Sequence, residues 1–391
     1  MQHNKYDIII FGSGVVGLTA AASLMSHKLK IALVDKESKA NIRDQNDQRA
    51  FALAHGSKIY LNKKKLWQVY DHNTCPIKEI HVMDGYDTDY LEFNQKDIGS
   101  PLGLMLSASL IRQKLYQHLN EHGDNIDFYH DFTCSDIKYK QNSVDLTTKE
   151  LKLSAKLLIA ADGRNSKIRN DLALKTHFHD YQQTALAATI SHQNHHKNIA
   201  VERFLANGPF AMLPLQNGYK TSIVWTETKN EAAKILALPH SEIENILAEK
   251  TENYLSAPKL EHKLQSFPLN LVYAPQNNFH RTILIGDAAH GMHPLAGQGF
   301  NVALRDIKVI DEILLSDKIN LNQDFGRAEL IKKFYQERKF DILSLVSSTH
   351  GINFIFSNNN IILKKTRKIG LKLADRIPAL KFMMLRKAAG L

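Results

Sequence analysis

The chain has 391 residues, 43% hydrophobic and 23% charged, the balance of a globular protein with a large core and more than one domain. No apolar run approaches the roughly 20 residues that cross a bilayer, and no signal-peptide core follows Met1-Gln2-His3-Asn4-Lys5, so a cytoplasmic protein is expected. The formal charge of +10 suggests nucleic acid until it is located: Ile361 to Leu391 carries nine basic residues and one acid, Asp375, which leaves the body nearly balanced and argues against a nucleic-acid partner.

Tyr6-Asp7-Ile8-Ile9-Ile10-Phe11 has a buried-strand pattern and runs straight into Gly12-Ser13-Gly14-Val15-Val16-Gly17. An alanine-rich helix is predicted over Leu18 to Met25, then a second strand over Lys30 to Val34 that ends at Asp35. This is the dinucleotide fingerprint with strand, helix and acid in register. Gly12 makes the tight turn, Gly14 lets backbone approach a pyrophosphate, and Gly17 lets the helix pack on the strand. Asp35, 18 residues past Gly17, is placed to accept ribose hydroxyls.

In the segment Asp47 to Ser57, Arg49 either reaches back over a bound dinucleotide or is a surface cation at the start of a helix. A further helix is predicted over Leu106 to Leu119, with Arg112 free to point at phosphate. Lys156 to Ala161 reads as another buried strand, ended by Asp162-Gly163, and strand ends are where open α/β sheets bind ligands. The two cysteines, Cys75 and Cys134, form no C-x-x-C pair and are expected to be reduced thiols.

The pattern between these pieces is antiparallel. Strands are predicted at Ala185 to Ile190, Ala200 to Leu205 and Phe267 to Tyr273, and a hairpin joins Phe210 to Leu215 with Lys220 to Thr226 around Asn217-Gly218. Ser241 to Tyr254 reads as a helix. A sheet-rich domain is thus inserted into a nucleotide-binding fold. Near the end, the apolar run Thr282 to Ile285 stops at Gly286-Asp287, and Pro294, Gly297 and Gly299 break the backbone before a helix with Val302, Asp306, Ile307, Ile310, Ile313 and Leu314 at helical spacing. Its N-terminus would hold an anion, or a group that becomes anionic during turnover.

Three motifs together, GSGVVG with Asp35, AADGRNS at Ala160 to Ser166, and IGDAAHGMHPLAGQGFN at Ile285 to Asn301, resemble the FAD-dependent aromatic hydroxylases of the para-hydroxybenzoate hydroxylase type. Within that family the likeness is greatest to the ubiquinone-biosynthesis hydroxylases. It rests on Gln48 to Leu53, on FAMLPLQNGYKTSIVWT at Phe210 to Thr226, and on the segment from Gly351-Ile352-Asn353 to Gly390-Leu391. The resemblance implies an α/β fold: a Rossmann-like FAD-binding domain (1–70, 104–180 and 276–345), an inserted antiparallel-sheet substrate domain (71–103 and 181–275) and a helical C-terminal tail (346–391). It implies that Gly12, Ser13, Gly14, Val16, Gly17 and Asp35 hold the ADP half of FAD, with Arg49 and Arg112 near its phosphates and flavin edge. Asp287, after Gly286 in the same cofactor-binding motif, would bind the ribityl chain or pyrophosphate, and Asp162-Gly163 would support FAD and the reductant. Pro294, Gly297, Gln298, Gly299, Phe300 and Asn301 would wrap the isoalloxazine, with backbone at Pro294, Gly297 and Gly299 shaping the reaction site. Members often carry an amide before the Arg112 helix, where this chain has Ser107-Ala108-Ser109.

The implied reaction is a monooxygenation. Flavin reduced by NAD(P)H or an electron-transfer protein reacts with O2 to a hydroperoxide that hydroxylates a polyprenylated phenol, and the protein supplies orientation and dryness. No side-chain acid or base is assigned and no metal is expected, although His290 and His293 lie three apart. A soluble aromatic substrate and a non-catalytic flavin-binding subunit are the alternatives; a flavin halogenase would show a W-x-W-x-I-P stretch, and Trp67 and Trp225 stand alone. Before Pro378, Ile362, Ile369, Leu373 and Ile377 share one helical face apart from most of the basic residues. Such a tail suits an anionic inner-membrane surface or a ubiquinone-biosynthesis complex.

Overall fold

Ile8, Ile9 and Ile10 are fully buried because the strand they belong to, Gln2–Phe11, lies mid-sheet and is covered on both faces. The computed structural model describes residues 2–42, 47–71, 74–85, 89–252, 254–275, 280–294, 297–317 and 324–356. Gln2–Phe11 pairs in parallel with Ile31–Val34 on one side and Leu151–Ala160 on the other. Ile126–Tyr129 and Thr282–Leu284 extend the parallel sheet at its two ends. The first half of Leu151–Ala160 turns antiparallel to Val144–Thr147, which pairs with Asp136–Tyr139.

Alternation sorts the strands between two cores. Ile8, Ile10, Ile31, Leu33, Leu157 and Ile159 pack under the helices Val15–Leu24, Ala108–His122 and Gly299–Asp317. Ile9, Phe11, Ala32, Val34 and Leu158 face the other way, onto Val144, Leu146 and Phe132. The helix expected from Leu106 starts two residues later, since Leu106 and Ser107 end the strand Gly103–Ser107. Arg49 does not open a helix either; it precedes the strand Ala50–Leu53, which pairs with Gly103–Ser107.

The antiparallel segments form an eight-stranded sheet in the order Lys259–Leu260, His177–Ser191, Lys220–Thr228, Gly208–Pro214, Ile199–Leu205, Glu79–Asp84, Tyr90–Asn94, with Gln265–Tyr273 also on His177–Ser191. Asn217 and Gly218 both take positive φ in the predicted hairpin loop. One face, with Leu186, Ile223 and Trp225, is closed by the helices Lys229–Leu236 and His240–Thr251. The other, with Ile80, Val82, Ala200 and Leu213, turns toward Ala50 and Ala52. Gln48 clasps the two bodies together: its backbone N–H donates to Gln265 at 2.9 Å and its side-chain oxygen accepts from the Thr189 N–H at 3.2 Å.

Four expected boundaries fall inside elements: 70/71 in the helix Trp67–Asp71, 103/104 in the strand Gly103–Ser107, 180/181 in His177–Ser191, where its pairing to Gln265–Tyr273 shifts register, and 345/346 in the helix Ala328–Phe356, with Val346 and Thr349 buried. The basic tail beyond 356 lies outside the described residues. Ala328–Phe356 is anchored by charge. Arg338 Nε donates to Asp306 Oδ1 at 2.7 Å, and Asp306 Oδ2 accepts from His290 at 2.6 Å and from the Gly286 N–H at 3.0 Å. Burial alone would raise the Asp306 pKa, but His290 and Arg338 outweigh it and hold the carboxyl below its ordinary value. Its stabilising contribution is therefore full above about pH 4 and is lost as pH falls through the depressed value. Asp306→Asn should cost about 3 kcal/mol in urea unfolding at neutral pH, because it strands Arg338 in the core. That deficit should shrink as the pH is taken below about 4; a variant as stable as wild type at pH 7 would show the network to be dispensable.

Candidate functional site

The glycine turn after Gln2–Phe11 separates two duties. A Cβ on Gly12, which sits at φ +110°, would lie 2.5 Å from the Ala161 carbonyl oxygen, and one on Gly17 would lie 1.8 Å from that of Gly12. These two glycines serve the protein's own packing. Gly14 differs: its φ is −67°, and no atom lies within 4 Å of where its Cβ would be. It is the N-cap of Val15–Leu24, which has no side-chain cap, so the positive end of the helix and its free N–H groups face open space. Asp35 Oδ2 closes the turn from below, accepting from the Ser13 N–H at 2.5 Å and Ser13 Oγ at 2.7 Å. Arg112 reaches the same turn, with Nε 3.2 Å from the Ser13 carbonyl oxygen and Nη2 2.6 Å from Glu37.

Gly286 brings the second motif onto the first, since the Val16 methyls lie 3.4 Å from its Cβ position. Its φ of 58° with ψ of −142° is a conformation essentially restricted to glycine. Asp287 next to it pairs with Arg164 at 3.1 Å, and Arg164 also donates to the Met292 carbonyl at 2.9 Å. Between the motifs lies Arg49, paired with Asp47 at 2.7 Å. Burial opposes ionisation of Asp47, but Arg49 and then Arg112 hold its pKa down; desolvation works against the Arg49 charge, but Asp47 and then Asp287 favour it. Arg112, Asp47, Arg49, Asp287 and Arg164 thus alternate in sign from the glycine turn to the second motif. Asp162 stands at the end of Leu151–Ala160 with Oδ1 buried and without a hydrogen-bond partner, and burial holds its carboxyl above the ordinary value against Ser166 and the backbone N–H groups. The Cβ position of Gly163, at φ +79°, is open.

Farther along, exposed Pro294 accepts from the Gly297 N–H at 3.0 Å, and Gly297 sits against the Ala52 methyl. Phe300 packs on Phe51 with ring centroids 5.0 Å apart, and Gln298 and Gly299 are half-buried at the helix start. The Asn301 amide is engaged with protein: Oδ1 accepts from the Ala54 N–H and Ser57 Oγ, and Nδ2 donates to the Ala52 carbonyl. It ties the helix to the strand Ala50–Leu53. His293 is 1% exposed with neither ring nitrogen hydrogen-bonded, and burial, then Arg164, pushes its pKa down to about 3. Sequence reasoning did not single out Asp47, Arg164, Glu37 or a neutral His293; the signal for Arg164 was its place directly after Asp162-Gly163.

An uncapped helix N-terminus beside an open glycine, a carboxylate under the turn, arginines along one wall and an unsatisfied Asp162 oxygen fit an elongated dinucleotide such as FAD. Comparison with known proteins gives the same reading. The FAD binding domain family matches residues 5–338. The chain is 31% identical to the ubiquinone hydroxylase UbiL of Rhodospirillum rubrum over 98% of its own length and 89% of that protein's. It is 27% identical to the 3-demethoxyubiquinol 3-hydroxylase of Escherichia coli over the whole of both chains. In fold it is similar to the p-nitrophenol 4-monooxygenase PnpA of Pseudomonas putida, with a TM-score of 0.80, 16% identity and 99% and 98% of the two chains covered. The chain belongs to the FAD binding domain family and, by its likeness to UbiL over nearly its full length, to the flavin-dependent monooxygenases that include the ubiquinone hydroxylases.

Proposed function

We propose that this protein hydroxylates the aromatic ring of a polyprenylated phenol in ubiquinone biosynthesis, using FAD, O2 and electrons from NAD(P)H or an electron-transfer protein. The observation that carries the reading is the convergence of Gly14, Asp35, Arg49, Arg112 and Asp287 around the glycine turn, on a body joined to an apolar sheet face. Gly12, Ser13, Gly14, Val16, Gly17 and Asp35 would hold the adenosine end of the cofactor. Arg49 and Arg112 would balance its phosphates, and Asp162, Gly163, Gly286 and Asp287 would line its middle. Pro294, Gly297, Gln298, Gly299 and Phe300 would frame the ring system, with Asn301 positioning that frame through Ala52 and Ala54. When bound, FAD supplies reducing electrons and oxygen activation for ring hydroxylation.

The chain's own part is binding, orientation and exclusion of water. The parallel sheet with its flanking helices would form the FAD-binding domain and the eight-stranded sheet the substrate domain. The positive end of the Gly299–Asp317 helix dipole would stabilise negative charge on the cofactor. On the side of the second sheet turned toward Ala50 and Ala52, Val82, Ala200, Phe204, Ala211, Leu213 and Val224 form an apolar floor interrupted by the carboxyls Glu202 and Asp84, and none of these strand positions is a cation. That favours a prenylated phenol over a soluble aromatic acid, whose carboxylate would need pairing. No helix among the described residues is long and apolar enough to cross a membrane. Phe354, 64% exposed, and Ile355 end the helix that leads into the basic segment, which supports docking of the tail on an anionic membrane or a lipid-presenting complex.

Purified protein should be yellow and release FAD. Because nothing in the protein opposes a side chain at Gly14, Gly14→Val should fold with wild-type thermal stability and lose FAD, whereas Gly17→Val should lose stability itself. Cofactor retained at full occupancy in Gly14→Val would refute this placement. With 18O2, a prenylphenol precursor should gain label in its new hydroxyl; label from water, or hydrogen peroxide as the sole product with every ring precursor, would overturn the reaction. Deletion of 361–391 should abolish binding to vesicles containing anionic lipid without loss of FAD, and unchanged vesicle binding would remove the membrane role.

A further inference from the structure

In the strand Ile199–Leu205, Val201 joins the core under the helices Lys229–Leu236 and His240–Thr251, and Ala200 joins the cluster turned toward Ala50 and Ala52. Alternation without a bulge puts Glu202 on the second of these faces, between Val82 of one neighbouring strand and Ala211 of the other. Val224 follows opposite Ala211. Protein surrounds Glu202, yet part of its side chain still meets accessible space, as do Val82, Leu213 and Val224 on the same face. A carboxyl enclosed among apolar side chains in this way would be expected to pair with a cation or accept N–H donors if it were structural. Glu202 does neither among the described residues, and desolvation alone pushes its pKa up to about 7. An acid poised there is unfavourable to the fold and suited to exchanging a proton.

We propose that Glu202 is a catalytic residue that accepts the hydroxyl proton of the phenol bound in this cleft. The assignment rests on the hydroxylase reading. In the step, the substrate O–H bond breaks and the proton forms a bond to a carboxylate oxygen of Glu202. The electron pair stays on the substrate oxygen, so no oxidation occurs and the charge moves from protein to ring. The phenolate oxygen then pushes electron density into the ring positions ortho and para to it, which is what attack by an electrophilic oxygen requires. The proton returns to the product oxygen once the ring is hydroxylated. The other ionisable groups presented to this space are Asp84 on the same face, Cys75, whose thiol burial pushes up to about 11, and Arg49 at the start of the opposing strand. His81 and Arg203 lie on the opposite face by the same alternation.

The test uses the FAD-loaded full chain with 2-prenylphenol, bearing one isoprene unit, as the probe. The wild-type hydroxylation rate should rise with pH through a transition near neutrality, as Glu202 loses its own proton and becomes able to accept the substrate's. Glu202→Gln should keep its FAD content and thermal midpoint, lose that transition and lose about 100-fold in hydroxylation rate, the range for a removed general base. Glu202→Asp, which keeps a titrating carboxyl, should restore the pH transition with part of the rate. A Glu202→Gln enzyme with the wild-type rate and pH profile would overturn the role of Glu202 alone. Wild-type enzyme without phenol-stimulated reductant oxidation would overturn the hydroxylase reading and this assignment with it.

Discussion

Buried Asp306 fixes the geometry on which the cleft depends. It sits on the apolar stripe of Gly299–Asp317 and accepts hydrogen bonds from three elements: the Gly286 N–H, the His290 ring and the Arg338 guanidinium. Gly286 takes a backbone conformation that costs energy for any other residue, and such conformations persist only where the surroundings over-determine them. The carboxylate supplies that determination from one side, and contact with Val16 supplies it from the other. The consequence is that the end of Thr282–Leu284 and the N-terminus of the following helix cannot shift independently. Two separate stretches of one motif are thereby held as a single surface.

The two sheets are joined by polar contacts as well as by an apolar cluster in which Leu271 packs with Met292, Val302, Ile342 and Val346. Gln48 satisfies backbone or side-chain groups on both Gln265 and Thr189, Arg49 lies over the Phe267 ring at 5.3 Å, and Asn301 holds the strand Ala50–Leu53 from the opposite side. That strand therefore joins the two bodies: Phe51 packs on Phe300 and the core under the helices, while Ala50 and Ala52 turn to the apolar face around Val82 and Leu213, with Gly297 against the Ala52 methyl. Directional hydrogen bonds set the spacing of the two bodies more tightly than apolar contact would.

What was legible in the sequence was local. Gly12, Gly14 and Gly17 were legible because they belong to one turn between adjacent elements, where a Cβ at Gly12 or Gly17 would meet backbone and one at Gly14 would not. The parallel strands were legible because burial on both faces writes them as unbroken apolar runs, Ile8-Ile9-Ile10 above all. Contacts between distant segments were not. Asp306 read as part of an apolar stripe, with no hint of Arg338 thirty-two positions on. Asn301 was placed beside the cofactor by resemblance alone, and the sequence did not reveal that its amide also meets Ala52, Ala54 and Ser57. Glu202 gave no signal at all: in Ala-Val-Glu-Arg-Phe-Leu the polar pair breaks the alternation, and only the registers with Val82 and Ala211 reveal which face the carboxyl occupies.

Charge is sorted along the cleft, and the sorting follows from desolvation. Near the glycine turn, Arg112, Asp47, Arg49, Asp287 and Arg164 alternate in sign, so each charge is compensated before any ligand arrives. A dianionic pyrophosphate entering there would compete with Asp47 and Asp287 for arginines already in place, and the free N–H groups behind Gly14 tip that competition toward the ligand. Toward the second sheet the compensation stops. His293 is kept neutral by burial and by Arg164, and the floor around Val82, Ala211 and Val224 carries no cation. Anionic groups are thus compensated at one end, and at the other Glu202 lies among apolar side chains with burial raising its pKa.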